Sequence, residues 1–406
     1  MYLNDQGSEG LKLNRRSFLG ASSIASATFV TGGFSLMNSS IVHAARANPA
    51  SGESRKLWAG KNLRGGEVFI LPSHQPDLKA LDEDGLRRDV QHSIAQGFCS
   101  VMPLNTGIDN ETYAQMNRVI ADEAKGKIFL VGVIRPGSWK QQKANIRALE
   151  QQGFSHALMY FNPELDSLDA IYKQMREIIE NTSLAIVLYV RPNKKIERFD
   201  PTGLPLDVFD KLADLDNVVA VKYTQELRPA SSFAVAERVG DRLIIGVVNL
   251  EMMLPLSLKY KIQWGAQWGI DSVQSPEKPW VNQYLELLRE GKTEQAYQLY
   301  WQYEAITSAF YEMQAPSLRV GGHPWVQIKY MKWLTGGNGG LLSDLHETPE
   351  HIPHLTPQER AAFRENFIKA GLKITDLPDE AFMVGTAAYH RGVRAKDLAA
   401  TPQYVI

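Results

Sequence analysis

Short apolar runs recur along the chain from about residue 66, each followed by an amphipathic stretch, in units of roughly 25 to 33 residues. The runs are rich in Val, Ile and Leu and do not alternate with polar residues. Parallel strands that are buried on both faces have this pattern. The sequence therefore predicts eight strands, at residues 67–71, 99–104, 128–134, 157–161, 185–190, 218–222, 243–248 and 268–273.

The stretches between the runs have the periodicity of helices. The first begins at residues 81–86, where Asp82, Glu83 and Asp84 favour a helix N-terminus. Gln96-Gly97 is a typical helix end, because glycine readily adopts the left-handed backbone conformation that closes many helices. Residues 162–182 and 205–215 are predicted helices of the same kind.

Eight strand–helix units in about 220 residues are the number and size of a (β/α)₈ TIM barrel. An open, doubly wound sheet is the alternative, and it would be expected to have a glycine-rich phosphate turn after its first strand. Here the first strand continues into Leu71-Pro72-Ser73-His74-Gln75-Pro76, and the chain has neither a GxGxxG nor a GxxxxGK[ST] pattern. The barrel, placed at residues 66–290, is therefore favoured.

The chain remains helical after the eighth predicted strand. Residues 291–376 are expected to form a C-terminal helical extension, and residues 377–406 a tail without clear periodicity that serves as a surface extension or an oligomer contact. The helices predicted in and before the extension are residues 283–291, 294–313, 325–334 and 357–371.

Residues 1–47 have the pattern of a bacterial export signal. Arg15 and Arg16 form a twin-arginine motif, a moderately apolar stretch follows at residues 21–37, and Ala45-Arg46-Ala47 has the small residues that a signal peptidase reads. The sequence thus predicts recognition by the twin-arginine export machinery, a periplasmic location, no stable membrane span after cleavage and a linker at residues 48–65. The alternative is a chance Arg-Arg pair in a disordered tail.

Charge and cysteine content exclude several classes of function. The 406-residue chain has a formal net charge of -1 and no basic stripe interleaved with aromatics, which argues against nucleic acid as a partner. Cys99 is the lone cysteine, so the chain has no intrachain disulfide, and its apolar neighbours predict a buried core residue. His351 and His354 have a helical metal-binding spacing, but prolines interrupt that segment. No metal or other cofactor is expected.

Candidate chemistry is sought at the carboxyl ends of the strands, where TIM barrels place their catalytic groups. Lys222 ends an apolar strand, and burial would favour a neutral amine able to attack a carbonyl, although a lysine there can also extend its charge into solvent. Tyr189 lies at the equivalent level of the preceding strand and could relay protons or simply pack in the core. The turn Asn105-Thr106-Gly107 could bind a carboxylate or be a plain turn.

These segments resemble the dihydrodipicolinate synthase/N-acetylneuraminate lyase family over residues 66–372. Residues 216–222 are similar to the strand whose lysine forms a Schiff base with pyruvate, and residues 188–192 to the segment with the catalytic tyrosine. Residues 97–107 resemble the segment that holds the pyruvate carboxylate. Weaker matches are Gly246, similar to the family's "GdD" turn, and residues 326–329, similar to its "pvK" helix start.

The chain departs from the family pattern at several site positions. Asn105-Thr106 stands in place of paired threonines, and Ile108 in place of a glutamate. Phe161 stands where the resemblance implies a second phenol, which in typical members completes a proton relay across a subunit contact. The family's arginine for the second substrate aligns with Lys194 or is displaced to Arg191.

The sequence and the resemblance together imply a Schiff-base-forming class I lyase or aldolase that acts on pyruvate or a related 2-keto acid. Lys222 would be the nucleophile and Tyr189 the proton shuttle. Asn105, Thr106 and Gly107 would bind substrate, together with Arg191, Lys194 and Gly246. The alternative is a non-catalytic periplasmic barrel that binds a carboxylated small molecule. The resemblance also implies a homodimer or homotetramer.

Overall fold

The apolar runs form eight parallel strands in the computed structural model, which describes residues 46–224, 228–267, 269–320, 322–343 and 353–406. The strands are β1 (Gly65–Ile70), β2 (Ser100–Pro103), β3 (Phe129–Ile134), β4 (His156–Tyr160), β5 (Ala185–Val190), β6 (Val218–Tyr223), β7 (Ile244–Val247) and β8 (Trp264–Ala266). Seven of them overlap the predicted strands, and the exception is β8.

The strands follow one another around a barrel. The hydrogen-bonded order is β7-β6-β5-β4-β3-β2-β1-β8, and every pairing is parallel. β7 and β8 lie in contact without a backbone ladder among the described residues, so the barrel is nearly closed. The predicted (β/α)₈ TIM barrel with additional C-terminal helices is confirmed.

Helices follow the strands and begin at capping side chains. Asp82 accepts a hydrogen bond from the Gly85 backbone, and Ser138 forms a capping box with Gln141. Such caps satisfy backbone N–H groups that the first turn leaves unpaired. The barrel helices are α2 (Glu83–Ala95), α3 (Asn110–Ala124), α4 (Trp139–Gln151), α5 (Leu168–Glu180), α6 (Leu206–Leu212), α7 (Pro229–Val239) and α8 (Leu250–Ser257).

The predicted linker at residues 48–65 contains a helix, α1 (Arg55–Asn62), that closes the N-terminal end of the barrel. Trp58 is 2% exposed, and its ring packs edge-on against Phe129 at the start of β3, with 5.1 Å between ring centroids. The Trp58 indole donates to the Ala47 carbonyl at 3.1 Å. The helix forms because an aromatic side chain fills the base of the barrel, a contact across distant parts of the chain.

The eighth predicted strand, residues 268–273, is wrong: β8 lies earlier, and a short 3₁₀ helix occupies Ile270–Ser272. Gly269 has φ +90°, a conformation that no strand adopts. The buried carboxylate of Asp271 pairs with Lys332, with 2.7 Å between Nζ and Oδ2. The apolar composition of this segment therefore reflects burial beneath the C-terminal helices.

The C-terminal extension is helical, as predicted, and the expected helix at residues 294–313 is divided into two. The 377–406 tail also contains helices: one packs on α2, and Phe382 of another packs against Tyr330 and Trp333 of the extension. The C-terminal helices are α9 (Trp280–Arg289), α10 (Thr293–Gln302), α11 (Glu304–Val320), α12 (Trp325–Leu334), α13 (Pro357–Lys369), α14 (Asp379–Val384) and α15 (Thr386–His390).

Three further expectations concern the described residues. Cys99 is fully buried, and burial raises the pKa of its thiol to about 11, so it is an unreactive core residue as predicted. No helix in the described ranges is long and apolar enough to cross a membrane. No cluster of three or more potential metal ligands occurs in this part of the chain. The export signal lies almost wholly in residues 1–45, and His351 also lies outside the described residues.

Candidate active site

Lys222 lies at the carboxyl end of β6, inside the mouth of the barrel. Its side chain is 2% exposed, and all six residues of the strand are buried. The lysine nitrogen lies 4.6 Å from the centroid of the Phe69 ring on β1. The amine is thus buried beside an aromatic ring, and the expectation that it extends into solvent does not apply.

Tyr189 on β5 is paired directly with Lys222 in the parallel ladder. The centroid of its ring lies 5.8 Å from the lysine nitrogen. The equivalent level that the sequence predicted for these two residues is therefore confirmed. Neighbouring parallel strands place such a pair on the same side of the sheet, so amine and phenol share one space.

Tyr160 on β4 continues this row. It is paired with Tyr189, and the two rings are stacked with 4.1 Å between centroids. Burial raises the pKa of Tyr160, and the adjacent Tyr189 hydroxyl, to which it is hydrogen-bonded, raises it further. Tyr160 therefore stays protonated at neutral pH and supplies a second phenol within the same chain.

Asn105, Thr106 and Gly107 form the turn after β2, at the same end of the barrel as Lys222. Asn105 Oδ1 accepts a hydrogen bond from Arg135 Nη2 at 3.4 Å. Gly107 has φ +69°, which glycine adopts without strain, and its carbonyl accepts a bond from Ser343. Thr106 is half-buried. The turn therefore lies at the end of the barrel where a substrate of Lys222 would bind. Its binding of a carboxylate stays a prediction.

Gly246 on β7 is paired with Lys222 on its other side. A Cβ atom at this position would lie 2.4 Å from the indole of Trp264, which fills the barrel interior. The glycine is therefore required for packing beside the lysine. Its predicted part in substrate binding stays a prediction.

Arg191 and Lys194 lie in the loop after β5, and both are exposed. They line an open cavity of about 560 Å³ that also contacts Tyr160 and Tyr189. The structure thus brings the predicted cationic residues to the side of the site above the phenols. An anionic part of a substrate could reach them there.

Two departures from the family pattern are apolar in the structure as well. Phe161 is 7% exposed and packs edge-on against Phe209, with 6.0 Å between ring centroids. Ile108 is also buried, at 8% exposure. Neither side chain can donate a proton. Among the residues named for the site, the phenol beside Tyr189 is therefore Tyr160.

Sequence reasoning missed Arg135, which directly follows β3. Its guanidinium lies over the ring of Tyr160, 5.8 Å from the centroid. The signal was present, since Arg135 is the first polar residue after an apolar strand, the same position relative to its strand that drew attention to Lys222.

A fully buried polar group inside the barrel was missed as well. Glu67 on β1 accepts a hydrogen bond from Ser100 on β2 and interacts with His156 on β4, each at 3.0 Å. Strand residues that are charged yet inward-facing need such partners. The group is nearer the N-terminal end of the barrel than Lys222 is, since Glu67 and His156 lie earlier in their strands than the Phe69 and Tyr160 that contact the site.

Comparison with known proteins agrees with this geometry. Residues 68–318, more than half of the chain, match the family described as the dihydrodipicolinate synthetase family. The chain belongs to the dihydrodipicolinate synthetase family. Lys222 and Tyr189 both lie within the matched region.

Curated relatives in this family are distant in sequence. The 4-hydroxy-tetrahydrodipicolinate synthase of Chloroherpeton thalassium is 28% identical over 171 residues, which cover 40% of this chain and 54% of that protein. The corresponding synthase of Pelodictyon phaeoclathratiforme is 26% identical over 256 residues, which cover 60% of this chain and 81% of that protein.

Solved structures of the family have the same fold. The N-acetylneuraminate lyase of Fusobacterium nucleatum superposes with a TM-score of 0.59 at 16% identity, covering 77% of this chain and 99% of that one. The dihydrodipicolinate synthase of Aquifex aeolicus gives 0.58 at 14% identity, covering 77% and 100%. At these identities the likeness shows the barrel alone.

Proposed function

We propose that this protein is a Schiff-base-forming lyase or aldolase that acts on pyruvate or a related 2-keto acid. The observation that carries the proposal is the buried amine of Lys222 paired with Tyr189 at the mouth of the barrel. A desolvated amine beside a phenol is the arrangement that imine formation needs.

The proposed first step uses the neutral form of Lys222. The amine attacks the keto carbon, the carbonyl oxygen takes up a proton, and the nitrogen loses one, which gives a carbinolamine. Protonation of its hydroxyl then releases water and leaves the protonated imine. Tyr189 would carry these protons, and Tyr160, stacked and hydrogen-bonded to it, would connect it with the cavity.

The keto acid's carboxylate would bind at the turn of Asn105, Thr106 and Gly107. The turn lies at the end of β2, on the same face of the barrel as Lys222. Backbone N–H groups and the Thr106 hydroxyl provide the donors that a carboxylate requires. Loss of a proton from the carbon next to the imine would give an enamine, the species from which a carbon–carbon bond forms or into which one breaks.

The relatives named as 4-hydroxy-tetrahydrodipicolinate synthases support this class of reaction. Synthesis of dihydrodipicolinate itself is not part of the proposal. Ile108 and Phe161 are buried apolar residues at positions where the family pattern has polar ones. The imine step does not depend on either residue.

Borohydride reduction in the presence of pyruvate tests the proposal. Reduction would fix the imine as a stable amine, and peptide mass spectrometry should locate the adduct on Lys222. Lys329→Met is the matched control, because Lys329 is also buried and burial lowers its pKa to about 8. That variant should still be trapped at Lys222, whereas Lys222→Met should not. If a panel of 2-keto acids leaves Lys222 unmodified, the proposed mechanism is wrong.

The apolar replacements favour one alternative, a non-catalytic barrel that binds a carboxylated ligand. Phe161 and Ile108 remove polar groups that the family pattern places in the site. A ligand that raises the melting temperature equally in wild type and Lys222→Ala, without turnover, would support this alternative.

We also propose export by the twin-arginine route to the periplasm, on the basis of Arg15 and Arg16 and the apolar stretch that follows. Cell fractionation of the full chain should place the protein in the periplasm. Replacing both arginines by lysine should retain it in the cytoplasm. Equal fractionation of the two chains would contradict the proposal.

The homodimer or homotetramer stays a prediction, which light scattering after size exclusion would test.

A further inference from the structure

Arg135 connects the turn after β2 with the phenol on β4. Its Nη2 atom donates a hydrogen bond to Oδ1 of Asn105 at 3.4 Å, and its guanidinium carbon lies 5.8 Å from the centroid of the Tyr160 ring. Asn105 begins the turn that is proposed to bind the keto acid's carboxylate, and Tyr160 is stacked on Tyr189. Arg135 therefore contacts two parts of the site at once.

The backbone of β3 directs Arg135 toward the inside of the barrel mouth. Successive residues of a strand alternate between the two faces of a sheet. Val133 packs on the interior cluster, the apolar side chains inside the barrel that include Val131 and Val187. Ile134 packs on the outer core between strands and helices, so the next position, Arg135, faces inward.

The same interior cluster connects this region with Lys222. Leu104, the residue before the turn, packs against the cluster, as do Phe69 and Tyr189. The centroids of these two rings lie 4.6 and 5.8 Å from the lysine nitrogen. The turn and Arg135 thus follow directly after the layer of side chains that contains the neighbours of the amine. The carboxylate of a 2-keto acid is one bond from the carbon that joins Lys222, so it remains in this region.

The guanidinium of Arg135 has further donors available. An arginine has five N–H donors, and its polar partner among the described residues is the amide oxygen of Asn105. No carboxylate of these residues forms an ion pair with Arg135. Lys195 differs, since its nitrogen lies 2.6 Å from a carboxylate oxygen of Glu164. A cation without a carboxylate partner, next to a turn with backbone N–H groups, is suited to bind an anion.

We propose that Arg135 binds the carboxylate next to the keto group of the substrate, together with the turn of residues 105–107. The inference rests on the proposed function and adds a charged residue to its carboxylate site. Asn105 stands where the family pattern has the first of two threonines, and the guanidinium replaces the missing hydroxyl as a donor. Two parallel hydrogen bonds from a guanidinium to a carboxylate give both charge and direction.

Arg191 and Lys194 remain available for another part of the substrate. They line the open cavity of about 560 Å³ beside Tyr160 and Tyr189, which Arg135 does not line. The contribution of Arg135 should therefore depend on the carboxylate next to the keto group and on no other group of the ligand.

Borohydride trapping with two probes of similar size tests the inference. Pyruvate and hydroxyacetone both have a keto group, and only pyruvate has a carboxylate. In Arg135→Met the half-saturating concentration of pyruvate should rise about tenfold or more, and that of hydroxyacetone should change less than about twofold. Lys140→Met, which removes an exposed charge on α4, should match wild type with both probes. Equal effects of Arg135→Met on both probes, or none on pyruvate, would overturn the inference.

Arg135→Gln and Arg135→Lys separate binding of the carboxylate from support of the turn. Glutamine keeps a hydrogen-bond donor for Asn105 without the charge, and lysine keeps the charge without the planar fork. Arg135→Gln should need about as much pyruvate as Arg135→Met does, and Arg135→Lys should lie between Arg135→Met and wild type. Wild-type behaviour of Arg135→Gln would show that Arg135 only holds the turn, and would refute the proposal.

A third measurement separates this inference from the imine chemistry. Oxamate has the shape and the carboxylate of pyruvate, but its amide carbonyl does not form an imine, and oxamide is its uncharged counterpart. Calorimetry should show that wild type binds oxamate more tightly than oxamide, and that Arg135→Met removes most of the difference. If this holds but no keto acid is trapped on Lys222, the proposed function fails while the carboxylate site stands. If trapping succeeds and the preference for oxamate is absent, or unchanged in Arg135→Met, the role of Arg135 is refuted.

Discussion

Tyr189 and Lys222 occupy paired positions on β5 and β6, with the lysine nitrogen 5.8 Å from the centroid of the tyrosine ring. The pairing follows from backbone hydrogen bonds of two buried strands, so it does not depend on a mobile loop. Tyr160, stacked on the far side of Tyr189, leaves that ring little freedom to turn away. The phenol is thus held where protons would be exchanged during imine formation.

Tyr189→Phe should lower kcat by about 10²- to 10⁴-fold, because it removes the hydroxyl while keeping the stacked ring. Trapping by borohydride should still modify Lys222, but more slowly. Rapid-quench measurement of adduct formation gives the rate directly.

Tyr172→Phe is the matched control for this prediction. Tyr172 lies on α5, away from the barrel mouth, and its hydroxyl accepts a hydrogen bond from Arg176 at an exposed site. This variant should keep the wild-type rate. If Tyr189→Phe forms the adduct as fast as Tyr172→Phe does, Tyr189 is not the proton shuttle.

Gly246→Ala should destabilise the protein by about 1–3 kcal/mol, the usual result of overpacking a core. The new methyl group would meet the Trp264 indole at 2.4 Å, and the strand pairing would pass the shift to Lys222. Urea denaturation monitored by circular dichroism measures the loss. Gly137→Ala is the control, because its nearest contact would be the Gln141 side chain at 3.5 Å. Equal urea midpoints for the two variants would show that Trp264 moves to accommodate the methyl group without loss of stability.

Trp58→Ala should cost about 3–5 kcal/mol in the free energy of unfolding, because the ring fills the base of the barrel and leaves a cavity when removed. Leu57→Ala on the same helix should change stability by no more than about 0.5 kcal/mol, since Leu57 is 66% exposed. Chemical denaturation of both variants makes the comparison. A small effect of Trp58→Ala would mean that α1 is only loosely attached to the barrel.

The barrel could be predicted because its signal is local. A buried strand such as β5 is a continuous apolar run, and the run alone gave its bounds, Ala185–Val190. Consecutive strands of a barrel are also neighbours in space. The pairing of Tyr189 with Lys222 therefore followed from counting along two runs.

The parts that could not be predicted depend on contacts between distant residues. Helix α1 has only eight residues and forms against the base of the barrel, so nothing within its own sequence distinguishes it from a linker. Asp271 is buried because Lys332, on a helix of the extension, pairs with it. An apolar run around Asp271 was therefore mistaken for the eighth strand.

The site itself was only partly predictable for a related reason. Lys222 and Tyr189 are conspicuous because their strands contain few other polar residues. Arg135 is the first polar residue after an apolar strand, but only the strand pairing places it level with Tyr160. Its significance comes from register, which the sequence of one strand does not contain.

The free energy of unfolding should fall as the pH is lowered below about 6.5, because two buried histidines stay neutral in the folded protein while they become protonated in the unfolded chain. Burial, helped by Lys329, lowers the pKa of His74 to about 4, and burial with Lys332 and Arg88 lowers that of His92 to about 3. An unfolded histidine has a pKa of about 6.5, so below that pH the unfolded chain binds more protons. As the pH falls below 6.5, each histidine therefore lowers the free energy of unfolding by about 1.4 kcal/mol per pH unit, until the pH reaches its folded-state pKa.

Denaturation midpoints measured from pH 7 to pH 4 test this linkage. The double variant His74→Gln/His92→Gln should show a shallower fall in the free energy of unfolding below pH 6.5 than wild type, even if it is less stable at pH 7. His390→Gln removes an exposed histidine and should keep the wild-type slope. The slope of the free energy of unfolding against pH separates titration from loss of packing. A packing defect lowers the free energy of unfolding by the same amount at every pH and leaves the slope unchanged. Parallel curves for the double variant and wild type would show that neither buried histidine governs the acid response.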